Sequence, residues 1–431
     1  MVSKNFLTKN RLLCIILLCV ILSGCTKYSP EEPIKDAAYI RVFNSIASGV
    51  EPTDIGGINP FLTFLMDPEK AADSAFIGAP VMCDYLNTRR LASQSYPTDA
   101  DTDPSAPVTV IGSPNGAPVY TGILNFEYPG KAHVPAAPAM NGFDMSSWAQ
   151  VKPGRHRIVF VVRPKNDVPF SEQDERVRKN ILIDTVVELK PGEVYTLEAI
   201  QTNRESPVQY GLYMRTENFY KQSFEADKIY VGFDNISGNY PLAAQHGFLN
   251  LFADTMNIYY SYLMRDVVVV PPTGIYSNVL TVMNMKDLFF TTISSKRQGR
   301  VTSYLSLPLL PRSYFFYKDS TLKTFPSNLQ QDNHFTNGVQ KDEDLPFVRF
   351  DFYNYNASQT KVFSLNCSAS PVTLQYYDQS NPYVRRYLPN LNLIVNSKNR
   401  IHVYPTVAIL EICYDRIYMM QMQRAFNEVP Q

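Results

Sequence analysis

Ile181-Leu182-Ile183-Asp184-Thr185-Val186-Val187-Glu188-Leu189, then Lys190-Pro191-Gly192-Glu193, then Val194-Tyr195-Thr196-Leu197-Glu198-Ala199-Ile200 reads as strand, turn and strand. Ile181, Ile183, Val187 and Leu189 fall on one face and Asp184 and Glu188 on the other, the period-two pattern of a half-buried strand. Pro191 presets φ for the second position of a turn and Gly192 accepts a positive φ at the third, so a type II-like reversal is expected there. A second unit of this kind precedes it, where Val151-Lys152-Pro153-Gly154-Arg155-His156 leads into Arg157-Ile158-Val159-Phe160-Val161-Val162. The chain has 28 Tyr and 25 Phe, joined by many Val, Ile and Thr in short runs that Pro, Gly, Asn and Asp interrupt. That composition makes the folded part all-β, with little helical periodicity. Ile412 to Arg424 reads as a last strand passing into a short helical turn.

Three segments share an aromatic and β-branched run ending in Asn: Ala38-Tyr39-Ile40-Arg41-Val42-Phe43-Asn44, Lys228-Ile229-Tyr230-Val231-Gly232-Phe233-Asp234-Asn235 and Phe347-Val348-Arg349-Phe350-Asp351-Phe352-Tyr353-Asn354. Read as opening strands, they mark two or three tandem β-sandwich domains. Their spans are 38–205, with a long surface insertion over about 79–141, then 228–335 and 346–431. Polar linkers lie at Lys221 to Asp227 and Gln340 to Pro346.

Ahead of these domains, Lys4, Lys9 and Arg11 precede eleven consecutive apolar residues, Leu12 to Leu22. This is the pattern of a secretory leader over residues 1–24. The apolar run is shorter than the roughly 20 residues that span a bilayer. The tetrad Leu22-Ser23-Gly24-Cys25 resembles the lipobox of bacterial lipoproteins. That resemblance implies that Leu22, Ser23 and Gly24 are recognised by the signal peptidase and that Cys25 becomes the lipid-modified first mature residue. Each buried acyl methylene contributes about 0.8 kcal/mol, and two or three chains anchor stably. Residues 25–37 are a polar, Pro-containing tether, and Glu31-Glu32 resembles an acidic tag for export to the outer face of a Gram-negative outer membrane.

Ala38-Tyr39-Ile40-Arg41-Val42-Phe43-Asn44-Ser45, the turn Trp148-Ala149-Gln150-Val151-Lys152-Pro153-Gly154-Arg155-His156, and Val187-Glu188-Leu189-Lys190-Pro191-Gly192-Glu193-Val194-Tyr195-Thr196-Leu197 together resemble the bacterial domain-of-unknown-function family 4397. The likeness covers about 38–200. It implies an exported, often lipid-anchored protein with an immunoglobulin-like β-sandwich. Its motifs are structural and carry no catalytic residue.

Forty basic residues balance 40 acidic ones, and loss of the leader leaves 37 against 40, which excludes a nucleic-acid footprint. With Cys14 and Cys19 in the leader and Cys25 lipidated, Cys83, Cys367 and Cys413 remain. Cys367 with Cys413 is the one disulfide to entertain, buried free thiols being preferred. Histidines 133, 156, 246, 334 and 402 show no metal-ligand spacing, and no metal or cofactor is expected. Asp99, Asp101 and Asp103 alternate like a calcium loop, but Pro104 and Val110 stand where Gly and Glu would be needed, so a solvated loop is preferred. No G-x-S-x-G elbow or phosphate loop occurs, and Asp342-Glu343-Asp344 lies in a linker. Trp148 reads as a core plug.

The expected role is a non-enzymatic interaction or structural part at the cell surface, held on the outer membrane by lipid, with a protein or polysaccharide partner. A glycan-binding accessory lipoprotein of an uptake system is the alternative, with Tyr376, Tyr377, Tyr383 and Tyr387 as stacking rings. A hydrolase whose site is assembled from distant residues is the third.

Overall fold

Strand β1 (Ala38–Asn44) is buried on both faces, and so it lies inside a stack of sheets instead of covering one. In the computed structural model the described residues are 32–46, 61–72, 74–87, 89, 127–130, 132, 134–203, 209–237, 255–270, 274–281, 284–294, 299–310, 347–355, 361–368, 375–378, 381–387, 391–397, 400–413 and 416–424. Nearly all are strand and turn, as the composition dictates; the helical pieces are single turns such as Glu175–Arg178.

The first half comprises β1, β2 (Phe61–Met66), β3 (Glu69–Lys70), β4 (Phe76–Gly78), β5 (Val81–Leu86), β6 (Glu127–Tyr128), β7 (Ala149–Val151), β8 (Gly154–Arg163), β9 (Ile181–Leu189), β10 (Val194–Asn203) and β11 (Gln209–Thr216). One sheet has the order β5-β2-β8-β9 and is antiparallel throughout. The other runs β11-β10-β1-β6, with β7 also on β1. Within it β1 and β10 are parallel, Tyr39 opposite Val194 through Asn44 opposite Ala199. Between the sheets Ile40, Val42, Phe64, Phe160 and Leu197 form a core.

The expected turn closes as the residue types require: Gly192 has φ 72° and the Glu193 amide donates to the Lys190 carbonyl at 3.3 Å. The Gly192 amide also donates to the Ala37 carbonyl at 2.8 Å, tying the turn to the start of β1. Gly192→Ala has space for its methyl group but must hold a left-handed backbone, so chemical denaturation should register a loss of about 1 kcal/mol. Asp184 and Glu188 are exposed while Ile183, Val187 and Leu189 are buried. Ile181 is the exception at 43% exposure, because a register shift between Phe160 and Val161 carries it off the inner face.

The second half comprises β12 (Lys228–Asn235), β13 (Thr255–Val270), β14 (Gly274–Thr281), β15 (Leu288–Ser294), β16 (Leu305–Pro308), β17 (Phe347–Asn354), β18 (Lys361–Ser368), β19 (Gln375–Asp378), β20 (Asn381–Tyr387), β21 (Asn392–Ser397), β22 (Arg400–Pro405), β23 (Val407–Cys413) and β24 (Arg416–Met422). It repeats the topology of the first. Its inner sheet is β24-β23-β12-β16, with β12 and β23 parallel, and its outer sheet is β14-β13-β17-β18 with β15 also on β13. The repeat holds residue by residue. Phe43, Glu198 and Tyr213 stand abreast in the first half, and Asp234, Glu411 and Tyr418 in the second. Asn44 accepts from the amide of Ile46 and Asn235 from that of Ser237, the same Asx turn ending both opening strands.

The sheets therefore divide the chain differently from the expected three domains. β17 does not open a third domain; it is a central strand of the outer sheet, between β13 and β18. The expected ranges 228–335 and 346–431 share one core, in which Val231, Phe233 and Ile258 meet Phe350, Leu410 and Ile412. The first half extends past 205 to take in β11, and within 79–141 β5 and β6 are sheet strands rather than inserted loop. The described residues of Ile412 to Arg424 form the end of β23 and its antiparallel partner β24, with no helical turn among them.

The two inner sheets pack against each other. Alternate residues of β1 and β10 that point away from the first core meet those of β12, β23 and β24. Phe43, Val194, Tyr230, Val407, Ile409 and Met420 form a further apolar cluster there. Among the described residues the four larger sheets are thus layered around three cores, and a smaller cluster of Leu65, Phe76, Val159, Val161 and Phe170 lies on the other side of the β5-β2-β8-β9 sheet.

Candidate functional site

Leu22, Ser23, Gly24 and Cys25 lie outside the described residues, as do Asp99, Asp101 and Asp103. Tyr376 and Tyr377 are on β19 and Tyr383 and Tyr387 on β20, joined as a hairpin with Gln375 opposite Tyr387; their side chains are not among those described. Trp148 is the expected core plug, with the Arg41 guanidinium 5.0 Å from its ring and Phe219 at 5.9 Å. Cys367 is a free buried thiol in the second core, so the pairing with Cys413 is not formed, and burial raises its pKa. His156 spends both ring nitrogens, on Asp67 at 2.6 Å and on the Lys152 carbonyl at 2.8 Å. Among the described residues no group of His, Cys, Asp and Glu is arranged to hold a metal.

The densest polar constellation lies between the inner sheets, and sequence reading missed it. Arg215 on β11 donates to Asp234 of β12 at 2.9 Å, to Glu411 of β23 at 2.5 Å and to Glu217 at 2.9 Å. Arg89 also donates to Glu411 and stands 3.6 Å from Glu198 of β10. Ser45 donates to Glu198 at 2.6 Å, Tyr213 to Asp234 at 2.6 Å and Thr196 to Glu217 at 2.6 Å. The Arg89 guanidinium lies 3.9 Å from the centre of the Phe43 ring and 4.9 Å from that of Tyr418. All of these charged groups are buried.

Four carboxylates thus face two guanidinium groups away from water, and burial raises the energy of every charged form. Burial, reinforced by Glu411, pushes the Glu198 carboxyl up to about 8 against the pull of Arg89 and Arg215. Burial likewise raises Asp234 to about 6, opposed by Arg215 and Tyr213. For Glu411, burial acts in the same direction, but Arg89 and Arg215 together outweigh it and hold the carboxyl below its usual value. The Glu198 and Glu411 pair therefore titrates as one coupled unit, with burial raising the proton affinity of Glu198 and the two guanidinium groups lowering that of Glu411. Shifted carboxyls in a cleft suggest catalysis. Here they are sealed between two sheets and link the halves.

A shallow groove of about 240 Å³ opens beside this interface, lined by Asn141, Phe143, Phe224 and Arg424 among others. The Arg424 guanidinium is already committed there to the carbonyls of Glu225 and Lys228.

The largest exposed rings lie elsewhere, on the outward face of the second half's outer sheet. Met256 and Ile258 of β13 enter the core, and alternation sends Asn257 and Tyr259 outward. Tyr259 sits 5.4 Å from Phe289 of β15 and 5.3 Å from Tyr353 of β17, edge to face with both. Phe289 is 55% and Tyr355 62% exposed. Rings gathered in this way on open surface mark an interaction site.

No family model matches this sequence, and no curated protein or solved structure matches it either.

Proposed function

We propose that this is an exported protein of a bacterial envelope, held at the outer membrane by lipid on Cys25, with a non-enzymatic interaction role. The observation that carries the reading is Leu22-Ser23-Gly24-Cys25 closing a basic and then apolar leader. The likeness of 38–200 to the family of unknown function named above supports it, because members of that family are exported. The buried siting of the convergent carboxylates favours a scaffold over the hydrolase alternative, and the ring-bearing outer face supplies a surface for a partner.

Replacing Cys25 with Ser tests the reading, since a hydroxyl accepts no thioether-linked lipid. The Cys25→Ser protein should leave the membrane fraction and appear in soluble extracts, whereas retention with the envelope defeats the proposal. Protease treatment of intact cells should remove the wild-type protein, and its survival would confine it to the periplasm.

A further inference from the structure

Strands β15, β13 and β17 lie side by side, and their outward residues mix rings with amides and hydroxyls. Asn257 stands opposite both Tyr353 and Thr292, and the Thr292 hydroxyl donates to the Asn257 side-chain oxygen at 2.6 Å. Tyr259 stands opposite Phe289 on one side and Asp351 on the other. At the end of the face the Tyr355 amide donates to the Thr255 carbonyl at 3.2 Å.

Among the described residues, the cations Arg349 and Lys361 are matched by carboxylates on or beside the same sheet. Arg349 pairs with Asp351 at 3.0 Å and with Asp287 at 3.4 Å, and Lys361 also pairs with Asp351 at 2.5 Å. Those two cations and two carboxylates cancel, which favours an uncharged partner over a charged one at this patch. Asn257 and Thr292 set an amide and a hydroxyl beside the contiguous rings of Phe289, Tyr259 and Tyr353.

We propose that this face binds a neutral polysaccharide, whose sugar rings rest on Tyr259, Phe289, Tyr353 and Tyr355. A pyranose presents hydrogens of partial positive character on its C–H face and hydroxyls around its edge. The first suit the negative face of an aromatic ring, and the second suit the amide of Asn257 and the hydroxyl of Thr292. A strand spacing of about 4.8 Å sets these groups on a grid of the size of one sugar unit. The inference deepens the envelope-interaction reading by naming the partner's chemistry, and it rests on that reading for the biological setting.

The test is affinity electrophoresis of the full chain in mild detergent, through gels containing dextran, starch, mannan or a soluble β-glucan, with polygalacturonate as the anionic comparison. At least one neutral polymer should retard the protein. Tyr259→Ala and Phe289→Ala should each weaken that retardation about tenfold with the thermal unfolding midpoint unchanged. Tyr355→Ala, at the most exposed ring, gives the same readout should Tyr259→Ala unfold the sheet. Retardation by none of the neutral polymers, by polygalacturonate alone, or undiminished in these variants overturns the proposal. So does self-association by light scattering that Phe289→Ala abolishes, which would assign the face to a second copy of the chain. These outcomes do not depend on where the protein resides, so Cys25→Ser fractionation and glycan retardation fail separately.

Discussion

Arg215→Ala should cost about 3–5 kcal/mol of stability, the scale on which removing one partner of a buried ion pair leaves uncompensated charge. Arg215 is the common donor to Asp234, Glu217 and Glu411, so its loss leaves Asp234 and Glu217 without their guanidinium and Glu411 with Arg89 alone in a dry interface. Glu198→Gln makes the contrast. Burial raises the proton affinity of Glu198, which makes the neutral amide a close replacement, and the oxygen that accepts from Ser45 has a counterpart in glutamine, so the cost should be about 1 kcal/mol or less. Denaturant unfolding of both variants measures the difference. Equal losses would mean that the interface does not depend on the guanidinium in this way.

Stability should also fall as the pH rises from about 5 to 8. Glu198 ionises near 4.5 in the unfolded chain and only near 8 when folded, so between those values the folded state binds the additional proton. Stability from a group of raised pKa is fully present below the unfolded value and is lost on the way up to the folded one. Asp234 acts with the same sign between 3.8 and about 6. Glu411 acts oppositely, but its contribution is lost only as the pH drops below its ordinary 4.5, beneath this window. One proton corresponds to roughly 1 kcal/mol per pH unit. Unfolding midpoints at pH 5, 6, 7 and 8 should decline steadily, and Glu198→Gln should flatten the curve above pH 6. A slope that persists in that variant would place the titrating group elsewhere.

What the sequence made legible is what neighbouring residues determine. The Pro191-Gly192 reversal, the buried and exposed faces of β9 and the all-β class follow from turn geometry and side-chain alternation within a few residues. Pairing is a different matter. β12 and β17 share the same aromatic and β-branched pattern, yet one opens a half and the other sits mid-sheet, because such a pattern says that a strand is buried without naming its neighbour. Thr196 and Glu198 alternate with apolar residues as on a wet surface, but the surface they face is another sheet, supplied by residues far along the chain. Arg89 comes from a stretch without periodicity, and only the folded arrangement brings it to Glu198 and Glu411. The sequence points to the tyrosines of β19 and β20 as stacking rings, whereas the most exposed rings among the described residues are Phe289 of β15 and Tyr355 just past β17. The outward position of Tyr259 beside Asn257 was readable from the alternation in Thr255 to Tyr259.

The parallel partnership of β12 with β23 also sets a timetable. A polypeptide emerging N-terminus first has every strand of its first half by Thr216, and that half can condense early. The second half waits: its opening strand has no parallel neighbour until Val407–Cys413 follows, some 175 positions later. The antiparallel partner β16 is available earlier, but β12 must bridge a long loop closure before its hydrogen bonds to β23 form, with the finished first half offering Phe43 and Val194 as a ready surface on which the late strands assemble.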